Sequence, residues 1–248
     1  MTVLKSAQTR PTPPPTGIGP CDACDIRQLS ICNVLSANEL ARLRTIISTV
    51  HVAAGGTVIN EGAPAEDLFN VVAGTVKLYK LLSDGRRQIT GFLFPGDFLG
   101  IALNDIYAYT AEAIEPLQLC RFPRRKLEVL LGEMPRLERR LFGEVAHELA
   151  AAQDQMLLLG RKTAKERLAS FLLGLSGRAV KRRQQATPLP LPMSRADIAD
   201  YLGLTTETVS RSFTQLRQAK LIAKDRQNRV EIRDFEQLTE LAGNAGET

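Results

Sequence analysis

The chain has 248 residues, room for one large domain or two ordinary ones. Its 44% apolar and 24% charged residues are those of a folded soluble protein, and no apolar run nears the roughly 20 residues that carry a helix across a bilayer. No apolar signal core opens the chain, so a cytoplasmic protein is expected, in a compartment where structural disulfides are uncommon. The net charge of +5 is uneven: from Arg161 onward 16 Lys/Arg face 10 Asp/Glu, while the remainder carries 16 basic and 17 acidic residues. That imbalance fits a polyanion partner such as nucleic acid and equally a solvated basic surface.

The first twenty residues form a low-complexity arm whose Pro11, Pro13, Pro14 and Pro15 suit neither a packed helix nor a central strand. Cys21, Cys24 and Cys32 follow closely. Ser36 and Glu39 make a capping box for a helix with Leu40, Leu43, Ile46 and Ile47 on its apolar face. From about His51 to Pro123, short apolar runs such as 57–59, 68–72, 75–79 and 89–93 are punctuated by glycines 55, 56, 62, 74, 85 and 96. This pattern predicts a β-sandwich or barrel, with a hairpin turn at Ser83-Asp84-Gly85.

Next, Leu137, Leu141, Val145, Leu149, Ala152, Met156 and Leu159 step by three or four residues, one stripe of a single long helix. A second copy using the same stripe would bury it, making Leu141, Val145, Leu149, Ala152, Met156 and Leu159 the expected contacts of a homodimer. The alternative is a helix lying on its own β-domain. Asp154 lies close in sequence and is expected to repel its twin or to face solvent. A further helix is predicted from Thr163 to Leu175, ending near Gly177, followed by an exposed basic and Pro-rich connection.

Ser194-Arg195-Ala196-Asp197 then reads as a capping box opening a short helix. Ala199, Gly203 four residues later and Val209 six beyond that have a mechanical logic. Two steeply crossed helices need a small residue at closest approach, a turn residue tolerant of positive φ, and an apolar residue to seat the second helix. This is a helix-turn-helix. With Val209, Phe213 and Leu216 inward, the second helix presents Glu207, Ser210, Arg211 and Thr214 to base edges. Arg211 suits guanine and Glu207 suits cytosine, while Thr205 and Thr206 are candidate phosphate contacts. Residues 221–223 and 230–232 read as a hairpin, which makes the unit winged.

Cys21, Cys24 and Cys32 form a tight thiol cluster, and Cys120 is the one other cysteine. Four thiolates can hold a [4Fe–4S] cluster, a structural zinc, or exchange disulfides; Cys120 can also be a buried small apolar residue. The spacing leaves these open. Only His51 and His147 occur, far apart in sequence, so no catalytic constellation and no enzyme is expected.

In this order, a β-domain, a long helix and a winged helix-turn-helix resemble the CRP/FNR superfamily of transcription regulators, from Cys21 onward. Glu207-Thr208-Val209-Ser210-Arg211 is similar to the E-x-x-S-R of the FNR branch, including its FnrN/FixK-like members. The resemblance implies an α+β architecture: an N-terminal arm with the cysteine cluster (1–35), a β-roll of the cyclic-nucleotide-binding jelly-roll type (36–130), a dimerisation helix (131–160) and a winged helix-turn-helix (161–248). It also implies a TTGAT-N4-ATCAA-type palindrome as target, contact with RNA polymerase, and activation of low-oxygen genes. For the cysteines it implies one oxygen-labile [4Fe–4S] cluster per subunit on Cys21, Cys24, Cys32 and Cys120, whose loss to oxygen loosens the dimer. A same-fold regulator controlled by zinc or thiol redox is the alternative. Cyclic nucleotide is not expected, because Ile101 and Tyr109-Thr110 stand where that branch has its phosphate-binding Glu and Arg-Ser.

Overall fold

In the computed structural model the described residues are 21, 24–102, 105–227 and 229–243; the Pro-rich arm lies outside them. After Cys24, a 3-10 turn spans Ile31–Val34, opened by Ser30, whose hydroxyl accepts the Cys32 N–H. Helix α1 (Ala37–Arg44) begins with the expected reciprocal box between Ser36 and Glu39. It ends at Arg44, so Ile46 and Ile47 reach the same apolar cluster as Leu40 and Leu43 from the chain beyond the helix, not from its face.

The β-domain has eight strands: β1 (Ser48–Val52), β2 (Thr57–Ile59), β3 (Asp67–Ala73), β4 (Val76–Leu81), β5 (Arg87–Leu93), β6 (Phe98–Leu99), β7 (Thr110–Ala113) and β8 (Leu117–Pro123). They form two four-stranded sheets, β1-β8-β3-β6 and β2-β7-β4-β5, with antiparallel pairing throughout. β4 and β5 make the expected hairpin. Val71, Leu99 and Leu119 of one sheet meet Val76, Ala111 and Ile59 of the other in a closed core, the alternation that half-buried strands require. Gly96, in the turn before β6, has φ +99°, and a Cβ there would fall 2.7 Å from that of Leu29. A side chain at this position would hold the cysteine segment off the β-roll.

Where one helix was expected over 131–160, the structure has helix α2 (Arg124–Glu133), which was not foreseen, and a separate helix α3 (Pro135–Arg161). Proline is favoured at the first helical position and cannot continue a preceding helix, so Pro135 opens α3, and buried Met134 fills the break. At 1.5 Å per residue the 27 residues of α3 span about 40 Å. Helix α4 (Ala164–Lys181) runs past the expected stop near Gly177. Its buried Phe171, Leu172, Leu175 and Ala179 hold it helical, tertiary packing overriding the weak propensity of two glycines. Helices α5 (Arg195–Leu202) and α6 (Thr206–Gln218), strands β9 (Ile222–Lys224) and β10 (Val230–Ile232), and helix α7 (Phe235–Leu241) complete the chain. Helix α7 was not foreseen; it covers the DNA-binding core with buried Leu238.

One apolar cluster joins Cys21, Ile31 and Leu35 of the cysteine segment to α1, to Phe98 and Phe122 of the β-roll, and to Leu127, Leu130, Met134 and Leu137 of α2 and α3. Leu137→Ala should therefore cost about 2–5 kcal/mol of stability, read by chemical denaturation of the full chain. Val129→Ala, at a site 64% exposed on the neighbouring helix, should stay within about 0.5 kcal/mol.

Candidate metal centre and nucleic-acid interface

The four cysteines converge. Cys21, Cys24, Cys32 and Cys120 line one small cavity, walled further by Arg27, Ser30, Leu40, Ile47, Asn70 and Phe122. Strand pairing delivers the fourth: Cys120 sits in the middle of β8, opposite Thr49 of β1 and Asn70 of β3. All four thiols are free of disulfides. Burial pushes the Cys32 thiol up to about 11, with the Ser30 hydrogen bond partly opposing it. Burial raises Cys120 to about 12, and the other three thiols add to the shift. Four thiolates crowded in an apolar wall are costly unless a cation compensates them. Four thiols in an apolar wall are a donor set that suits a four-iron cluster and a structural zinc alike.

The long helix divides the expected dimer stripe into three parts. Leu137 is fully buried and Leu141 half-buried in the chain's own cluster with the cysteine turn. Leu158 and Leu159 pack into the core of the DNA-binding unit. Between them Val145, Leu149 and Met156 are 37%, 61% and 70% exposed, Ala152 is exposed, and Phe142, not foreseen, is 73% exposed. Residues 142, 145, 149, 152 and 156 alternate steps of three and four, the repeat of a coiled-coil seam. At about 100° per residue, Asp154 stands about 160° from both Ala152 and Met156. Its charge acts instead on Tyr201 of its own α5, so the expected repulsion between twins has no place here.

The helix-turn-helix has the expected construction. Ala199 is buried at the crossing, and Gly203 is left-handed at φ +61°. Val209, Phe213 and Leu216 face inward, which leaves Thr205, Thr206, Glu207, Ser210, Arg211 and Thr214 exposed together. Thr205 caps α6 by accepting the Thr208 N–H at 3.1 Å. The Ser210 and Thr214 hydroxyls donate back to the carbonyls of Thr206 and Ser210 at 2.9 and 3.1 Å. Arg211 lies 3.7 Å from Glu207, a loose exposed pair that leaves its guanidinium available. Arg217, whose Nη2 donates to Thr214 at 3.0 Å, and exposed Lys220 extend this face. The sequence signalled them only through net charge. Arg167 of α4 donates to the carbonyls of Leu159 at 2.9 Å and Leu202 at 2.8 Å, fastening the end of α3 to the helix-turn-helix turn.

The DNA-binding unit also docks on the β-roll. Lys77 of β4 lies 3.0 Å from Asp197 and 2.9 Å from Glu112; Arg87 of β5 lies 3.1 Å from Asp197 and 2.8 Å from Asp200. Arg178 of α4 pairs with Asp97 and donates to the Phe92 carbonyl at 2.7 Å. Phe92, Phe171 and Tyr201 form an aromatic triad with centroids 5.2–6.1 Å apart. In the β-roll, the hydroxyl of half-buried Tyr109 accepts the Gly100 N–H at 2.9 Å, so this amide of the Gly-Asp-Phe-Leu-Gly turn already has its acceptor.

Residues 166–241 match a Crp-like helix-turn-helix domain and residues 49–133 a cyclic nucleotide-binding domain. The nitrogen fixation regulation protein FixK of Bradyrhizobium diazoefficiens is 44% identical over 82% of this chain and 86% of its own length. The transcriptional activator protein FnrL of Cereibacter sphaeroides is 39% identical over 93% of this chain and 94% of its own. The solved structure of FixK2 from Bradyrhizobium japonicum, 39% identical, superposes with a TM-score of 0.72 over 79% of this chain and 97% of that one.

Asp197 generates a prediction. Burial alone would raise its carboxyl, but hydrogen bonds from Ser194 and Lys77 hold it below its ordinary 3.8. Its ionised form therefore contributes stability at neutral pH that is lost as pH falls below about 4. Asp197→Ala should cost about 3 kcal/mol at pH 7, the low end for a broken buried pair because Lys77 keeps Glu112. The gap from the unsubstituted chain should narrow on acidification below pH 4, as measured by urea titration at several pH values.

Proposed function

The chain belongs to the CRP/FNR family of transcription regulators, and from that premise we propose that it is an oxygen-responsive, DNA-binding activator that works as a homodimer. Cys21, Cys24, Cys32 and Cys120 would hold one [4Fe–4S] cluster per subunit, which supplies sensitivity to oxygen when bound. The observation that carries this reading is the single cavity walled by all four thiols and sharing its apolar cluster with the root of α3. Ser30 positions Cys32 through the cap of the 3-10 turn, β8 positions Cys120, and Leu40, Ile47 and Phe122 shield the thiols from water. Ordering of the cysteine turn stabilises Met134 and Leu137 beneath it, and thereby the angle at which α3 leaves the β-roll. Phe142, Val145, Leu149, Ala152 and Met156 then meet their copies across a two-fold axis. That pairing holds two α6 helices at half-sites about 34–36 Å apart. RNA polymerase is the proposed partner in activation.

On DNA, Arg211 reads guanine and Glu207 cytosine within a TTGAT-N4-ATCAA-type palindrome, supported by Ser210 and Thr214, with Thr205 and Thr206 on phosphate. The Tyr109 hydroxyl on the Gly100 amide supports control without cyclic nucleotide.

Anaerobic purification should give a brown protein containing iron and sulfide that bleaches on brief exposure to air. A colourless or zinc-containing protein that still binds the palindrome would remove the sensing mechanism and leave the regulator. Arg211→Ala should lose about 1–3 kcal/mol on the palindrome and much less on random DNA, measured by anaerobic anisotropy titration. Equal losses on both would make Arg211 a phosphate contact.

A further inference from the structure

A second cleft opens between the cysteine turn and the first turns of α3, lined by Asn33, Val34, Arg136, Arg139, Arg140 and Gly143. Most of it lies away from the seam: at about 100° per residue, Arg136 stands about 180° and Arg140 about 140° around the helix from Val145, while Arg139 borders the seam about 60° from Phe142. A second copy seated on Phe142, Val145, Leu149 and Met156 would leave Arg136 and Arg140 open.

The charge in this cleft is unbalanced. Residues 136, 139 and 140 are helical neighbours, with Cβ atoms about 5–6 Å apart, and like charges at this spacing repel. They also sit at the N-terminal end of α3, where the helix dipole favours anions over cations. Arg140 has Glu144 at 2.7 Å, yet its Nε is buried without an acceptor. Arg136 and Arg139 make no salt bridge among the described residues. Glu39, whose carboxyl Arg136 helps to hold low, is already engaged by the hydroxyl and N–H of Ser36. The free guanidinium forks of Arg136 and Arg139, with Arg140 beside them, match phosphate oxygens better than lysines would, because each can bind two oxygens at once.

We propose that this cleft binds a small soluble anion with two adjacent phosphate groups. Arg136 and Arg139 take the phosphates, and Arg140 turns its idle Nε toward them. The ligand lies against Asn33 and Val34, immediately after Cys32, and so bridges the cysteine turn to the root of α3.

Calorimetric titration of the full chain with inorganic pyrophosphate and with ATP, at fixed ionic strength, tests this, alongside hydrogen–deuterium exchange. Saturable binding of one pyrophosphate per chain is expected, weakened at least about tenfold in Arg136→Ala/Arg139→Ala. It should persist in Arg125→Ala/Lys126→Ala, which removes the same charge from α2. Slowed exchange is expected over residues 31–34 and 136–143. The exchange pattern of the unsubstituted chain decides the matter if the first double variant does not fold. Absent binding up to millimolar pyrophosphate, equal loss in both variants, or protection confined to α6 would each overturn the proposal. So would capture of a poly-glutamate peptide where pyrophosphate fails, which would make the cleft a protein-docking surface.

Discussion

The rest of this structure depends on the burial of the first turn of α3 beneath the cysteine segment. The twelve or so residues from Cys24 to Leu35 form no sheet and only one short 3-10 turn. Alone, they could not offset the entropy of their own ordering. They hold their shape because Ile31 and Leu35 enter a cluster that already contains Leu43, Phe122, Leu127, Met134 and Leu137. Two of the thiol-bearing residues, Cys32 and Cys120, pack against that cluster, and Cys21 belongs to it. Interiors packed this closely move between discrete arrangements and do not deform smoothly. On the proposed reading, a change at the thiols is therefore felt at the root of the long helix.

The other end of α3 is anchored in the same manner. Leu158 and Leu159 enter the core of the DNA-binding unit, and Arg167 spans from the Leu159 carbonyl to that of Leu202. The helix is thus a rod with one end in each core and an apolar, uncovered middle. The DNA-binding unit meets the β-roll through charges as well as rings: Asp197 caps α5 through Ser194 and also receives Lys77 and Arg87. Ion pairs of this kind contribute little net stability against apolar alternatives. Their directional geometry restricts how α5 can sit on β4 and β5, and hence where α6 points.

What could be read from the sequence was local. The boxes at Ser36/Glu39 and Ser194/Asp197, the left-handed Gly203 and the buried Val209, Phe213 and Leu216 each depend on residues a few positions apart. The helix-turn-helix was therefore legible residue by residue. The separation of α2 from α3 was signalled by Pro135, but the expected helix was begun at 131, upstream of that proline, and α2 was not foreseen. Phe142 was passed over because Leu141 beside it continued the leucine series, and only the burial of Leu141 in the chain's own core shows which neighbour is free. The meeting of Cys120 with the N-terminal thiols depends on the register of β8 between β1 and β3, which no local pattern encodes; family resemblance suggested it. Lys77 and Asp197 are 120 residues apart, and a lysine in a strand gives no sign of its partner.

On the proposed reading, the seam and the cysteine turn are two faces of one equilibrium. The turn orders the root of α3, the root sets the exit of the exposed middle, and the middle finds its copy. Thermodynamic linkage makes such a coupling reciprocal: whatever factor an ordered turn adds to dimer affinity, the dimer returns to the ordering of the turn. Palindromic DNA, which engages two α6 helices at once, enters the same cycle by raising the effective concentration of one protomer for the other. No contact between DNA and the thiols is needed. The separation of about 40 Å implied by α3 is bridged because both ends of one rigid helix are built into cores that cannot yield by small degrees.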